Sequence, residues 1–468
     1  MDLKHHGVWS VILALGLTMS ACSGHDDPVD DDEAGTLRPV SAVSAVSDGA
    51  TAYDDRPVDE SWLAEAQRRI EQIRMAELRV VVTDENGQPL PEAQVHVRMT
   101  RHAFLWGSAL SDGAFLGVDE SRRTHRSRYL NEFARLFNLA TIEGRMRWHH
   151  WENPKSREQL EAMMRWCEDQ DIALHGHTLV YPGWKHLPPE LQDLQHDPQA
   201  LRQRIDAHIL DQAGTLAGRV HSWDVLNEPY SIQILQRLVG YDQMAHWFRL
   251  ARQADPKAVL VVNENNIVSS GIKLEGYVGV IQRLLDNKAP LDAIGVQGHF
   301  RGSRFNRLTN PIPTPQVMWE RFERLASLGL PVRITEFDIF NDQPDHALLL
   351  SEQDQARLTR EFLITAFSHP RVDAFVLWGF WDGAHWMNNA PIFRRDWSVK
   401  PSGQAYLDLV HNRWRTDAEG TTGSDGAWLV RGFLGDYTVT AVTADGRRGI
   451  AQGSLTSNGS QIAVQVAR

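Results

Sequence analysis

Between about Ala103 and Trp414 the chain alternates short apolar runs with longer stretches of helical periodicity, and it does so eight times. The runs are Phe104 to Leu110, Leu139 to Glu143, Ala173 to Val180, Val220 to Asn227, Val259 to Asn263, Ala293 to His299, Val332 to Phe337 and Ala374 to Phe380. A helical pattern follows each, the last being Ser402 to Trp414. That order is expected of β/α units around a parallel sheet. Eight such units in about 310 residues predict an α/β fold, a (β/α)8 TIM barrel over 103–414. The alternative, a doubly wound open sheet, calls for a glycine-rich turn after the first strand to hold a nucleotide phosphate, and none is present.

In such a barrel the active site collects at the C-terminal ends of the strands. Polar and aromatic side chains recur there: Glu143 on the second run, His175 and His177 on the third, Asn227 and Glu228 on the fourth. Asn263 to Asn266 follow on the fifth, Gln297 and His299 on the sixth, Glu336 and Asp338 on the seventh, Trp378 and Trp381 on the eighth. Alone, each reads as a rim group satisfied by its neighbours; six or more converging on one face read as a site. Glu228 and Glu336 are two strand-borne carboxylates, the equipment of glycosidic bond cleavage: one acid protonates the departing oxygen and one carboxylate meets the oxocarbenium-like centre. The 16 Trp fill the core or, beside carboxylates and amides in loops, stack on sugar rings.

A net charge of -12 argues against a phosphate-backbone partner, so no nucleic acid is expected. Two cysteines, Cys22 and Cys167, allow no disulfide framework, and Cys167 lies on a helical apolar spacing as a packing residue. The histidines are scattered rather than set at ligand spacing; no metal site and no cofactor are expected. Residues 1–22, with Lys4 ahead of an apolar stretch from Val8 to Leu17, read as an export signal too short to span a membrane. Met19-Ser-Ala-Cys22 resembles a bacterial lipoprotein processing box, which implies lipidation of Cys22, a membrane link through that lipid alone, and a place on the cell surface or outer membrane; without it the protein is simply secreted.

Residues 23–60 are acidic and rich in small residues and read as a tether. A short helix is expected from Ser61, acting as its cap, to Met75. Strand-like runs then occupy Leu78 to Gly87 and Ala93 to Met99, around a turn rich in Asn, Gly and Pro. Three more lie at Thr422 to Gly432, Gly435 to Val442 and Gln461 to Val466. Neither end forms a domain by itself; the strands of 61–102 and three or four strands of 415–468 are expected to join into a small discontinuous β-sandwich into which the barrel is inserted.

Over these eight units the chain resembles glycoside hydrolase family 10, the retaining endo-β-1,4-xylanases, and its flanks resemble the plant-type version of that family, in the region from Leu78 to Leu110 and at Arg431-Gly-Phe-Leu-Gly-Asp-Tyr437. Trp223-Asp-Val-Leu-Asn-Glu-Pro229 is similar to the family's acid/base strand, and Ile334-Thr-Glu-Phe-Asp338 to its nucleophile strand. The resemblance implies that Glu228 is the general acid/base, Glu336 the nucleophile and Asn227 the partner of the sugar 2-hydroxyl. It further implies that Gln297 and His299 hydrogen-bond the nucleophile with Asp338 behind them, and that His177, Trp378 and Trp386 bind sugar. Glu143 and Arg147 fall where the family holds the sugar next beyond the cleavage point. There the chain departs from the family: Glu143-Gly-Arg-Met-Arg-Trp148 replaces Glu-Asn followed by Met-Lys-Trp, and Tyr181 and Pro182 stand where Trp and His are usual. Gly144 is expected to leave space, and Arg147 to meet an acidic substituent through a bidentate contact.

The expectation is a monomeric retaining endo-β-1,4-xylanase acting on xylan or decorated xylan. The alternatives are a retaining endo-glycosidase on another β-linked polysaccharide, and a carbohydrate-binding lipoprotein with no hydrolytic activity.

Overall fold

The computed structural model describes residues 59–301, 312–340, 350–387 and 389–467. The signal segment, Cys22 and nearly all of the tether lie outside the described residues.

Two strands, β1 (Met75–Thr83) and β2 (Gln94–His102), precede the eight of the barrel. These eight are β3 (Leu105–Leu110), β4 (Leu139–Ile142), β5 (Ala173–Val180), β6 (Ser222–Asn227), β7 (Val259–Glu264), β8 (Ala293–Arg301), β9 (Val332–Phe340) and β10 (Val372–Leu377). They close in chain order, with β10 returning to pair with β3, and every neighbouring pair is parallel. All eight apolar runs are therefore strands of one barrel, with boundaries shifted by up to three residues. The largest extension is in β9, because β8 and β9 stay paired as far as Arg301 and Phe340. That extension carries Gln297, His299, Glu336 and Asp338 on a continuous ladder, so the seventh and sixth strands present their polar side chains from rigid backbone rather than from loops.

Helix Glu60–Arg74 starts one residue before the expected span, and its cap is Asp59, not Ser61. The Asp59 carboxylate accepts from the Trp62 N–H at 3.0 Å and from the Ser61 hydroxyl at 2.7 Å. A charged acceptor at that end is favoured by the helix dipole as well as by the free N–H groups. At the other end, Arg74 donates to the carbonyls of Phe367, His369 and Val372 at 2.9, 2.8 and 2.7 Å, tying this helix to the end of helix Glu352–Ser368 on the barrel wall. The expected last helix is two elements: Pro401–Tyr406 is α-helical and Leu407–Arg413 is a wider, π-type continuation.

Among the described residues five strands follow the barrel, β11 (Asp417–Thr421), β12 (Ala427–Phe433), β13 (Gly435–Val442), β14 (Arg448–Leu455) and β15 (Ser460–Gln465). With β1 and β2 they make two sheets, ordered β12-β1-β15 and β11-β2-β13-β14. The turn after β1 thus delivers β2 to the opposite sheet rather than folding it back as a hairpin. Alternating side chains, Val80 and Val82 from one sheet side and Val95, Val97, Val439 and Ala441 from the other, are buried between them. Phe433 and Tyr437 are buried in this core, and Tyr437 donates to the Phe433 carbonyl and to Thr416. The chain passes from β2 into β3 through Phe104, whose ring joins Trp106, Phe367 and Trp414 in one aromatic cluster.

Candidate active site

A cleft of about 650 Å³ opens at the C-terminal ends of the barrel strands. Glu143, Arg147, His177, Asn227, Glu228, Gln297, His299, Glu336, Asp338, Trp378 and Trp386 all line it, so the residues singled out in the sequence meet in one place. Trp381 does not join them: it is buried and stacks on Trp397 with ring centres 4.7 Å apart. Tyr181, Asn265, Asn266, Phe300, Phe340 and Met387 complete the lining.

Glu336 is 4% exposed and fixed at both oxygens. Its Oε2 lies 2.9 Å from His299 Nε2, and its Oε1 accepts from Asn263 Nδ2 at 3.1 Å. The other nitrogen of His299 lies 3.0 Å from Asp338, whose second oxygen accepts from Trp386 Nε1 at 2.9 Å. Burial works against a charge on His299, but Asp338 and then Glu336 outweigh it and raise its pKa to about 10. The same contact, with help from His385 and Trp386, overcomes burial and lowers the pKa of Asp338. His299 therefore stands as a cation between Asp338 and Glu336 at the back of the cleft.

Glu228 follows β6 directly and takes a positive φ of 54°, with its N–H donating to the Asn263 carbonyl at 2.7 Å. Left-handed backbone is costly for a residue with a Cβ and recurs where a side chain must be aimed at a site. Its Oε1 accepts from Gln297 Nε2 at 3.2 Å. The same amide reaches Asn227 Oδ1 at 3.3 Å, and Asn227 Oδ1 accepts from Asn263 Nδ2 at 3.0 Å. Gln297 thus serves Glu228 and Asn227, whereas the expectation put it on Glu336; a register shift between Val296 and Gln297 in the β8–β9 pairing accompanies this placement. Asn263 takes that position instead. Its side-chain Oδ1 accepts from the Thr335 hydroxyl at 2.7 Å, so one buried amide orients Asn227 and Glu336 together.

Below this layer, Asp224 is fully buried, with its Oδ2 2.8 Å from His177 Nδ1 and 3.0 Å from His175 Nε2. Burial alone raises a carboxyl pKa, but the two imidazoles overcome it and bring Asp224 down to about 2. His177 is thereby oriented toward the cleft, where its ring meets Trp378 edge-on at 5.2 Å. Trp378 is 6% exposed, while Trp386 stands 51% exposed at the mouth. Tyr181 faces Glu228; burial and then that carboxylate raise the pKa of its hydroxyl.

The space expected beside Gly144 is occupied. A Cβ added there would lie 2.5 Å from Asp112 Oδ2, because Asp112, in the segment following β3, brings its carboxylate against the Gly144 backbone and within 3.4 Å of Arg145 Nε. Next to it, Glu143 is pushed up to a pKa of about 7 by burial and by Asp112, with Arg147 and His177 opposing. Glu143 is therefore expected to titrate across neutral pH. The KM for substrate should change between about pH 6 and 8 in the wild type, as Glu143 turns from hydrogen-bond donor to pure acceptor, and Glu143→Gln should flatten that limb. A pH–KM profile of the two proteins checks it.

The sequence model described as Glycosyl hydrolase family 10 matches residues 100–409. Among curated relatives, the Anti-sigma-I factor RsgI6 of Acetivibrio thermocellus is 29% identical over 390 residues, covering 82% of this chain and 47% of its own length. Endo-1,4-beta-xylanase 2 of Arabidopsis thaliana is 25% identical over 365 residues, 76% of this chain and 31% of its own length. Endo-1,4-beta-xylanase B of Thermotoga neapolitana is 28% identical over 309 residues, 61% of this chain and 84% of its own. The chain thus spans less than half the length of the first two. Native xylanase 10B from Thermotoga maritima shares the barrel fold, with a TM-score of 0.58 at 24% identity, covering 66% of this chain and 96% of that one. With the match running over about two thirds of its length and through every strand of the barrel, this chain belongs to glycosyl hydrolase family 10.

Proposed function

We propose that the chain is an endo-β-1,4-xylanase that hydrolyses xylan or decorated xylan with retention of configuration. The observation that carries this reading is the unequal treatment of two carboxylates on one cleft. Glu336 is pinned at both oxygens, by Asn263 and by a cationic His299, while Glu228 meets only neutral partners, the Gln297 amide and the Tyr181 hydroxyl. A nucleophile must be ionised and aimed, and an acid/base must gain and lose a proton freely. In the first step Glu336 attacks the anomeric carbon as Glu228 gives its proton to the departing glycosidic oxygen. In the second, Glu228 takes a proton from water, which displaces Glu336 and restores the free carboxylate. Asn227, oriented by Asn263 and Gln297, meets the 2-hydroxyl of the sugar being cleaved, and His177, Trp378 and Trp386 hold the chain.

The xylanase relatives support xylan as the substrate. Matches to the Arabidopsis xylanases extend over 365 and 395 residues, beyond the barrel, in keeping with a plant-type arrangement of the flanking strands. Product analysis on xylans, arabinoxylans, β-glucans and mannans tests the assignment: oligosaccharides released from xylans alone are expected, and release chiefly from a glucan or mannan would move the chain to another β-linked polymer.

The anti-sigma relative favours a second reading, capture of a polysaccharide as a signal without turnover. Against it stand Glu228 and Glu336 with their full set of partners, which binding alone does not require. We also propose export and anchoring through a lipid on Cys22, with the protein acting as a monomer. Cys22→Ser should then move the protein from the membrane fraction to the soluble exported fraction; an unmodified protein already soluble outside the cell would contradict the anchor.

A further inference from the structure

One wall of the cleft carries cationic side chains that belong to no ion pair among the described residues. Arg147 lines the cleft, its Nε is buried without a hydrogen-bond partner, and among the described residues it belongs to no ion pair. The carboxyls that face it are Glu143 and Asp112, and both are held above the usual carboxylate range, chiefly by burial. Glu143, near 7, is only partly charged at neutral pH, and Asp112 is shared with Arg145 at 3.4 Å.

The same wall continues outward. Tyr181, on the cleft lining, stacks face to face on His186 at 3.7 Å with an interplanar angle of 4°. The adjoining Lys185 is exposed and, among the described residues, also in no ion pair. His149 stands close by, its ring 4.1 Å from that of His150. Burial, and after it Arg147, Lys185 and His149, lower the pKa of His186 to about 4. His186 is thus a neutral, half-buried imidazole set beside Arg147 and Lys185.

We propose that the wall formed by Arg147, Lys185 and His186 binds a carboxylate-bearing sugar, so that the preferred substrate is a xylan carrying uronic-acid branches. The proposal rests on the xylanase reading and adds the substrate class. Arg147 offers a planar fork that meets a carboxylate through two parallel N–H···O bonds, and Lys185 and neutral His186 add donors at the rim. It differs from the expectation drawn from the sequence in its cause. The space beside Gly144 is filled by Asp112, so acid recognition comes from cationic side chains outside any ion pair and not from an opened pocket.

Three xylo-oligosaccharides of equal backbone length test it: one unbranched, one with a neutral arabinose branch, and one with a glucuronic acid branch. The wild type is expected to show a kcat/KM about tenfold or more higher for the acidic than for the neutral branch, with most of the difference in KM. Arg147→Met should abolish that ratio, and Lys185→Glu, at an exposed position that does not endanger folding, should cut it at least threefold. Equal rates on the two branches in the wild type, or a preference that survives both substitutions, overturns the proposal. Turnover of the unbranched chain without an acid preference overturns the wall alone. Failure to cleave any of the three removes the xylanase reading and the proposal with it.

Discussion

Glu336→Ala is expected to lower kcat/KM on xylan by on the order of 10⁴-fold or more, the scale of losing a covalent nucleophile, while leaving the protein folded. Glu336 lines the cleft, and its removal leaves His299 still paired with Asp338. Glu228→Ala should behave differently on an aryl glycoside with a good leaving group. Such a group departs without an acid, so the first step survives, the intermediate accumulates, and KM falls together with kcat. Azide separates the two: as a nucleophile needing no base, it should rescue Glu228→Ala with retained configuration and convert the Glu336→Ala reaction to an inverted glycosyl azide. Full activity in either variant would remove that residue from its role.

The largest stability effect is expected at Asp224. Its carboxylate is fully buried between His175 and His177, and deleting one partner of a buried charge network costs about 3–5 kcal/mol. Asp224→Ala should therefore shift the urea midpoint strongly, and Asp224→Asn, which keeps the shape, should cost less. The pH dependence has a definite sign. A carboxyl whose folded pKa is lowered to about 2 contributes stability that is fully present above its unfolded value near 3.9, and that is lost as pH falls from about 4 toward 2. Urea titrations at pH 7 and pH 3 should show a smaller gap between the wild type and Asp224→Asn at the lower pH. His299 works in the opposite direction. With a folded pKa raised to about 10, its contribution is complete below about 6.5 and lost as pH rises through 10.

The barrel was legible because each strand is a buried apolar run, and burial leaves a compositional mark that survives any detail of packing. The cleft was legible because a barrel strand must end in polar residues only where it meets a site. Other features left weaker marks. Strands β11 and β14, Asp417–Thr421 and Arg448–Leu455, carry small and polar residues whose single inward faces make no conspicuous alternation. Asp112 lies 32 positions from Gly144, and nothing local announces that its carboxylate occupies the glycine's empty side. Asn263 reads as one more polar strand end, yet it touches Asp224, Asn227 and Glu336 at once, a role set by three-dimensional convergence. Trp381 and Trp378 look alike in sequence. Only the return of the chain to Trp397 buries the first and leaves the second beside the cleft.

The pairing of Glu336 with the anomeric carbon is tested most directly by trapping. A 2-deoxy-2-fluoro xylobioside with an activated aryl leaving group forms the glycosyl-enzyme and slows its hydrolysis, because the fluorine destabilises the oxocarbenium-like transition states of both steps. Intact mass should rise by one fluoroxylobiosyl group, and peptide mapping should place it on Glu336 in Val332–Phe340, with no label in Glu336→Ala. A label on any other residue, or complete turnover of the reagent to an inverted product with no labelled protein, would contradict the account.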